Sequence, residues 1–213
     1  MEGYTGNRRD YVFSGVEVLI YVFDVESDSR ENDFQVFKEC LDNLAEFSPA
    51  AKVFCLIHKI DLVRPSDKAR VIEEYKEDLT PLLEGFYHEF FATTIWNFTL
   101  YQAWSCIVYR LIPNIARIEA YLEQFRKLCE AVEVVLFEKS TFLVVTNVGG
   151  KRQLVDSRYV QISETIKNYN QKRNNWTYSK FSELELRDGN SVLFIQPFTA
   201  STFVLVIVDD PDT

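Results

Sequence analysis

The sequence is poor in the residues that most metal and hydrolytic sites are built from. Its only histidines are His58 and His88. Its four cysteines, Cys40, Cys55, Cys106 and Cys129, stand singly within apolar patterns at no CxxC spacing. A zinc site needs clustered thiolates and imidazoles, so this composition argues against one. The thiols read as reduced core residues of a cytosolic protein. There is no G-x-S-x-G, and no other constellation marks a hydrolytic nucleophile. Basic charge is short as well: 23 Lys and Arg stand against 32 Asp and Glu, a net charge of −9. That balance excludes a nucleic-acid backbone or an anionic membrane as a favoured direct partner. No apolar run reaches transmembrane length, and neither a signal peptide nor a lipidation motif is seen, so no membrane insertion is expected. The sequons Asn97-Phe98-Thr99 and Asn175-Trp176-Thr177 are discounted for the same reason.

A phosphate-binding G-x-x-x-x-G-K-[ST] is also missing. Gly149-Gly150-Lys151 comes nearest, but Arg152 takes the Ser/Thr place and Val145 the first glycine's. No D-x-x-G precedes the first apolar strand; Asp10 and Gly15 are too far apart to serve.

What is present suffices for a sizeable core: 213 residues, 47% hydrophobic and 15% aromatic, enough for one or two domains. The organising stretch is Ala51–Asp61, AKVFCLIHKID. Val53–Ile57 is apolar without alternation, as in a strand buried on both faces of a parallel sheet. His58-Lys59-Ile60-Asp61 follows at its carboxyl end, where open α/β sheets bind ligands. An aspartate there can accept two hydrogen bonds from one planar donor edge, such as that of guanine, and a lysine beside it can lie along the base.

Val16–Val25, VEVLIYVFDV, reads as another fully buried strand. Phe34, Phe37, Leu41 and Leu44 recur at helical spacing over residues 29–47, with Ser29 as the expected N-cap. A second helix is expected over Asp67–Glu84, a third strand over Phe90–Ile95, and a further helix capped by Asn97 and ended by Pro113. Leu100, Ala103, Trp104, Ile107, Val108 and Leu111 make its apolar stripe. Residues 16–112 thus read β-α-β-α-β-α, a parallel sheet with right-handed crossovers. After Pro113 the pattern changes. A helix carries Ile118, Leu122, Phe125 and Cys129. Strands follow at Val134–Phe137 and Phe142–Val148. A polar segment, Ser157–Leu186, is expected to be helical in its first half. Arg187–Asn190 reads as a turn between it and strands at Ser191–Phe198 and Thr202–Val208. The fold class expected is α/β followed by an α+β domain with an antiparallel sheet.

These blocks resemble the Rag GTPases, and most closely the RagA/RagB (yeast Gtr) branch. The resemblance is carried by Val18–Ser27, by Phe54–Val63 with its HKID, and by Ile95-Trp96 with Leu100–Ser105. It continues through Ile107–Asn114 and Leu136–Leu143. It implies a partial Ras-like G domain over residues 1–113 and a roadblock-type dimerisation domain over 114–213, lacking that family's last helix. It implies a guanine site in which Asp61 meets the base edge, Lys59 stacks on the base and His58 takes the place usual for Asn. Thr94 stands where the family has Ser, and the Ile95 backbone N–H would reach the guanine oxygen. Singly, each of these residues reads as well as a solvated strand-end side chain.

The resemblance further implies GTP or GDP as ligand and pairing with a RagC/RagD-type subunit through the roadblock domain. It implies a Ragulator/EGO-type scaffold and the target of rapamycin complex as partners in amino-acid signalling. The expected location is cytoplasmic, with peripheral recruitment to the lysosomal or vacuolar membrane. The resemblance begins only after the family's phosphate loop, switches and metal ligands, so no Mg2+ site is expected. The 213 residues as they stand are expected to bind GTP weakly and not to hydrolyse it. Two other readings are a non-catalytic roadblock pairing module and an unrelated α/β enzyme, the latter with no catalytic constellation to support it.

Overall fold

The computed structural model describes residues 11–150, 184–188 and 191–209. The chain forms two compact units, Met1–Ala103 and Trp104–Thr213. In the first, β1 (Val18–Asp24), β2 (Lys52–His58) and β3 (His88–Thr93) form a parallel sheet in the order β1-β2-β3. The central strand is the one the apolar run predicts: Val53, Phe54, Cys55, Leu56 and Ile57 are all buried. Burial pushes the Cys55 thiol up to about 12, so it packs as a small hydrophobe.

β1 differs from its reading as a fully buried strand. Among the described residues it pairs only with β2, so it is a sheet edge. Phe23 is buried, whereas Val22 is 53% exposed. Helices α1 (Arg30–Phe47) and α2 (Lys68–Leu79) cover one face of this sheet. Phe37, Leu41 and Leu44 of α1 meet Tyr75 and Leu79 of α2 over Val53, Cys55 and Ile57. Ser29 stands at the N-cap of α1 but makes no side-chain cap; its N–H donates to Ser27 Oγ at 3.3 Å. The second helix ends at Leu79, short of the expected Glu84, and a 3-10 turn, Thr80–Leu83, replaces its last turn. Pro81 explains this, since it has no N–H for the α-helical bond and its ring crowds the preceding turn. β3 begins two residues earlier than expected, at His88 opposite Val53.

Helix α3 (Thr99–Leu111) follows. Phe98, not the expected Asn97, stands at its N-cap, since the Phe98 carbonyl accepts from the Gln102 N–H at 2.9 Å; Asn97 precedes it, and its Oδ1 accepts from the Thr99 N–H at 2.9 Å and from the Thr99 hydroxyl at 2.6 Å. The division between units falls inside α3, because Val108 and Ile112 belong to the core of the second unit.

That second unit holds α4 (Ile115–Leu128) and strands β4 (Glu133–Glu138), β5 (Val144–Gly149), β6 (Leu184–Asp188), β7 (Ser191–Pro197) and β8 (Thr202–Asp209). The sheet is antiparallel throughout, in the order β5-β4-β8-β7-β6. Leu122 of α4 packs against Val134, Leu136, Val145 and Val148. The β4–β5 turn is tied by Glu138, whose carboxylate accepts from the Ser140 N–H at 3.0 Å and the Thr141 N–H at 2.7 Å. Burial raises the Glu138 pKa, but these bonds outweigh it and the net shift is downward.

The helix expected in the first half of Ser157–Leu186 lies outside the described residues. Leu184–Asp188 is strand β6, so Arg187 and Asp188 are not part of a turn; the expectation of four strands here becomes five. The α/β unit followed by an α+β unit with an antiparallel sheet is the fold class expected.

Candidate functional site

Parallel register decides what meets at the carboxyl end of the first sheet. Asp24 is level with His58, and His58 is level with Thr93. The last residues of three strands therefore stand in one row, with the turns that follow them at the same edge. His58 Nδ1 lies 2.9 Å from Thr93 Oγ1, and Thr93 is fully buried, so the ring is held against the strand end and not free to swing.

The chain then turns sharply. Lys59 has φ 61 and ψ 31, a left-handed conformation, and caps the 3-10 turn Ile60–Leu62. That geometry costs a non-glycine residue about 1–2 kcal/mol. Buried Ile60 anchors the turn, and the Leu62 N–H donates to the Lys59 carbonyl at 3.0 Å. Asp61, next to the anchor, faces solvent; among the described residues its carboxylate has no hydrogen-bond or ion-pair partner. An exposed carboxylate on a fixed turn can receive two donors from one planar edge.

After β3, Thr94 is buried and Ile95 is 65% exposed. The Thr94 N–H donates to Thr99 Oγ1 at 3.0 Å, and Thr94 Oγ1 accepts from the Trp96 N–H at 3.3 Å. These two bonds tie down the loop that carries exposed Ile95 just past the carboxyl end of β3. The structure thus gathers His58, Lys59, Asp61, Thr94 and Ile95 at one end of one sheet.

The sequence reading missed Asp24. Its Oδ2 accepts a hydrogen bond from the Lys59 ammonium, and its Oδ1 accepts from the Glu26 N–H at 3.0 Å. The Lys59 bond, with the Glu26 N–H adding to it, holds the Asp24 carboxyl below its ordinary pKa, and the same bond raises that of Lys59. The available signal was Asp24's place: it closes β1 as His58 closes β2.

Among the described residues no cluster of three His, Cys, Asp or Glu is placed to hold an ion, and no helix is long and apolar enough to cross a membrane. Gly149 and Gly150 have structural work. Both have positive φ at the end of an antiparallel strand, and a Cβ on Gly149 would lie 2.3 Å from the Val132 carbonyl oxygen.

Comparison with known proteins places the whole chain among related sequences. The model of the Gtr1/RagA G protein conserved region matches residues 1–166. The chain is 43% identical over 211 residues to Ras-related GTP-binding protein B of Rattus norvegicus, covering 99% of this chain and 56% of that protein. It is 42% identical over 214 residues to GTP-binding protein gtr1 of Schizosaccharomyces pombe, covering 100% of this chain and 69% of the other. A weaker likeness, 26% over 140 residues, extends to GTP-binding protein GTR2 of Saccharomyces cerevisiae, covering 63% of this chain and 41% of that one. The chain thus spans little more than half the length of the Rattus relative.

Proposed function

Since the chain belongs to the Gtr1/RagA family of G proteins, we propose that it serves as a guanine-nucleotide-binding Rag-type subunit. In this reading it pairs with a second Rag chain of the RagC/RagD branch and signals amino-acid sufficiency to the target of rapamycin complex. The observation that carries the nucleotide part is the convergence of His58, Lys59, Asp61 and the Thr94–Ile95 loop at the carboxyl end of the parallel sheet. Asp61 receives the base edge, the Lys59 stem lies along the ring, His58 buttresses the turn through Thr93, and the Ile95 N–H meets the base oxygen. GTP or GDP supplies the phosphates whose binding switches such proteins. The residues present hold the base only, so no hydrolytic step is assigned to them.

Asp61→Asn tests this site. An amide cannot accept both donors of the guanine edge, and the mismatch should weaken binding by about 1–3 kcal/mol. The same amide can donate to the added oxygen of xanthine, so preference should turn from GDP toward xanthosine diphosphate. Parallel titrations with both nucleotides, followed by NMR, read the change. A variant that keeps its guanine preference would remove Asp61 from the site.

The second unit is, on this proposal, the roadblock-type pairing domain, and any lysosomal or vacuolar attachment comes through a scaffold of the Ragulator/EGO kind. Likeness to GTR2 supports a partner from that branch. Mixed with a RagC/RagD-type chain at micromolar concentration, this protein should elute as a 1:1 complex. Two separate monomer peaks would defeat the pairing part of the proposal and leave the base site standing.

A further inference from the structure

We propose that Asp24 is a positioning residue for the base site: it holds the Lys59 ammonium so that the lysine stem lies along the base. This rests on the base-site reading above.

The geometry has three parts. First, Asp24 is itself fixed. Its Oδ1 takes the Glu26 N–H at 3.0 Å, and its carbonyl accepts from the Ser27 N–H at 3.1 Å and the Tyr75 hydroxyl at 3.3 Å. The peptide after it is pinned by the Val25 N–H, which donates to the His58 carbonyl at 3.2 Å. Second, the left-handed turn at Lys59 sends the chain past the end of β2, one residue beyond the level of Asp24. Lys59 folds back across the strand end and its Nζ reaches Asp24 Oδ2. Third, the hydrogen bond leaves both partners partly open to solvent, with side-chain exposures of 47% and 38%. The lysine therefore presents its methylene stem while its charge is already matched. A free lysine side chain surrenders several rotamers on stacking, and one tethered at its tip has fewer to lose.

An ordinary exposed ion pair contributes little, so a structural role alone predicts almost no change on its removal. Two readouts separate the alternatives in the full chain. The first needs no nucleotide: the rate of Lys59 acetylation by acetic anhydride at pH 8, followed by mass spectrometry. Asp24→Asn removes the charge that favours the ammonium, so the rate should rise by about threefold or more. The second is GDP affinity by NMR titration. Asp24→Asn should weaken it by about threefold, the scale of one well-placed ion pair, and Asp24→Glu should recover most of the loss.

Faster acetylation with unchanged GDP affinity would overturn the positioning role, and so would unchanged acetylation. Loss of affinity in Asp61→Asn but not in Asp24→Asn would overturn it while leaving the base site intact. Loss in Asp24→Asn but not in Asp61→Asn would instead fault the base-site reading, and absence of any GDP binding by the unaltered chain would overturn both.

Discussion

Replacing Phe23 by alanine should cost about 3–5 kcal/mol of the stability of the first unit, the usual range for a buried phenylalanine. Phe23 is 1% exposed although it sits on an edge strand. Its ring stands edge-on to Phe34 at 5.6 Å and to Phe37 at 5.2 Å, and is tilted against Tyr75 at 5.9 Å and Tyr21 at 4.7 Å. Such pairs add to simple area burial. The cluster continues outward: the Arg30 guanidinium lies 4.1 Å from the Tyr75 ring centre and pairs with Asp78 at 2.7 Å. Deleting the central ring removes the hub that β1, α1 and α2 share, and none of its neighbours can slide in without losing a partner. Urea unfolding read by the amide signals of β2 would show the midpoint fall. A change below about 1 kcal/mol would mean that the cluster collapses into the gap.

The second large effect is expected at Gly149. It ends β5 opposite Glu133, with φ +79, and an added Cβ would lie 2.3 Å from the Val132 carbonyl oxygen and 2.7 Å from Arg126 Cδ. The arginine can swing, but the carbonyl belongs to the segment entering β4 and cannot. Gly149→Ala therefore combines left-handed strain with backbone displacement, and should destabilise the second unit by about 2–4 kcal/mol. Circular dichroism melts of the variant would read this as a lowered transition. Gly85 has φ +91, and a Cβ added there would meet nothing within 4 Å. Gly85→Ala thus isolates the conformational part and should cost about 1–2 kcal/mol. Equal losses at the two glycines would refute the close-contact account.

How much of this was legible before the structure depends on the kind of signal. Val53–Ile57 announced a central strand because five consecutive apolar residues leave no face for water. The row of His58, Lys59 and Asp61 was legible because it follows that strand directly. Elements set by a single local rule were legible only where the rule was applied: Pro81 fixes the end of α2, and the Asn97 side chain ties the turn that leads into α3. β6 escaped because Leu184–Asp188 is short and its alternation, with Glu185 and Arg187 exposed, is indistinguishable from a polar loop. The Asp24–Lys59 bond escaped for a deeper reason. It joins residues 35 apart, and it exists only because β1 and β2 pair in one register. A slip of one residue would turn Asp24 to the other face. Periodicity names the strands but does not state their register.

Among the described residues, the placement of β1 at an outer position of its sheet also bears on where the first unit opens. In a parallel pair only alternate backbone groups of an outer strand point inward; the intervening amides of Val18–Asp24 face away from β2. Those outward amides trade their protons with solvent without any global event, while their inward neighbours and the whole of β2 wait for the sheet to part. The carboxyl end of β1 is where Asp24 stands. On the proposal above, the post that steadies Lys59 is thus mounted on an outer strand, and peeling of that strand would loosen the base site before the central strand unfolds.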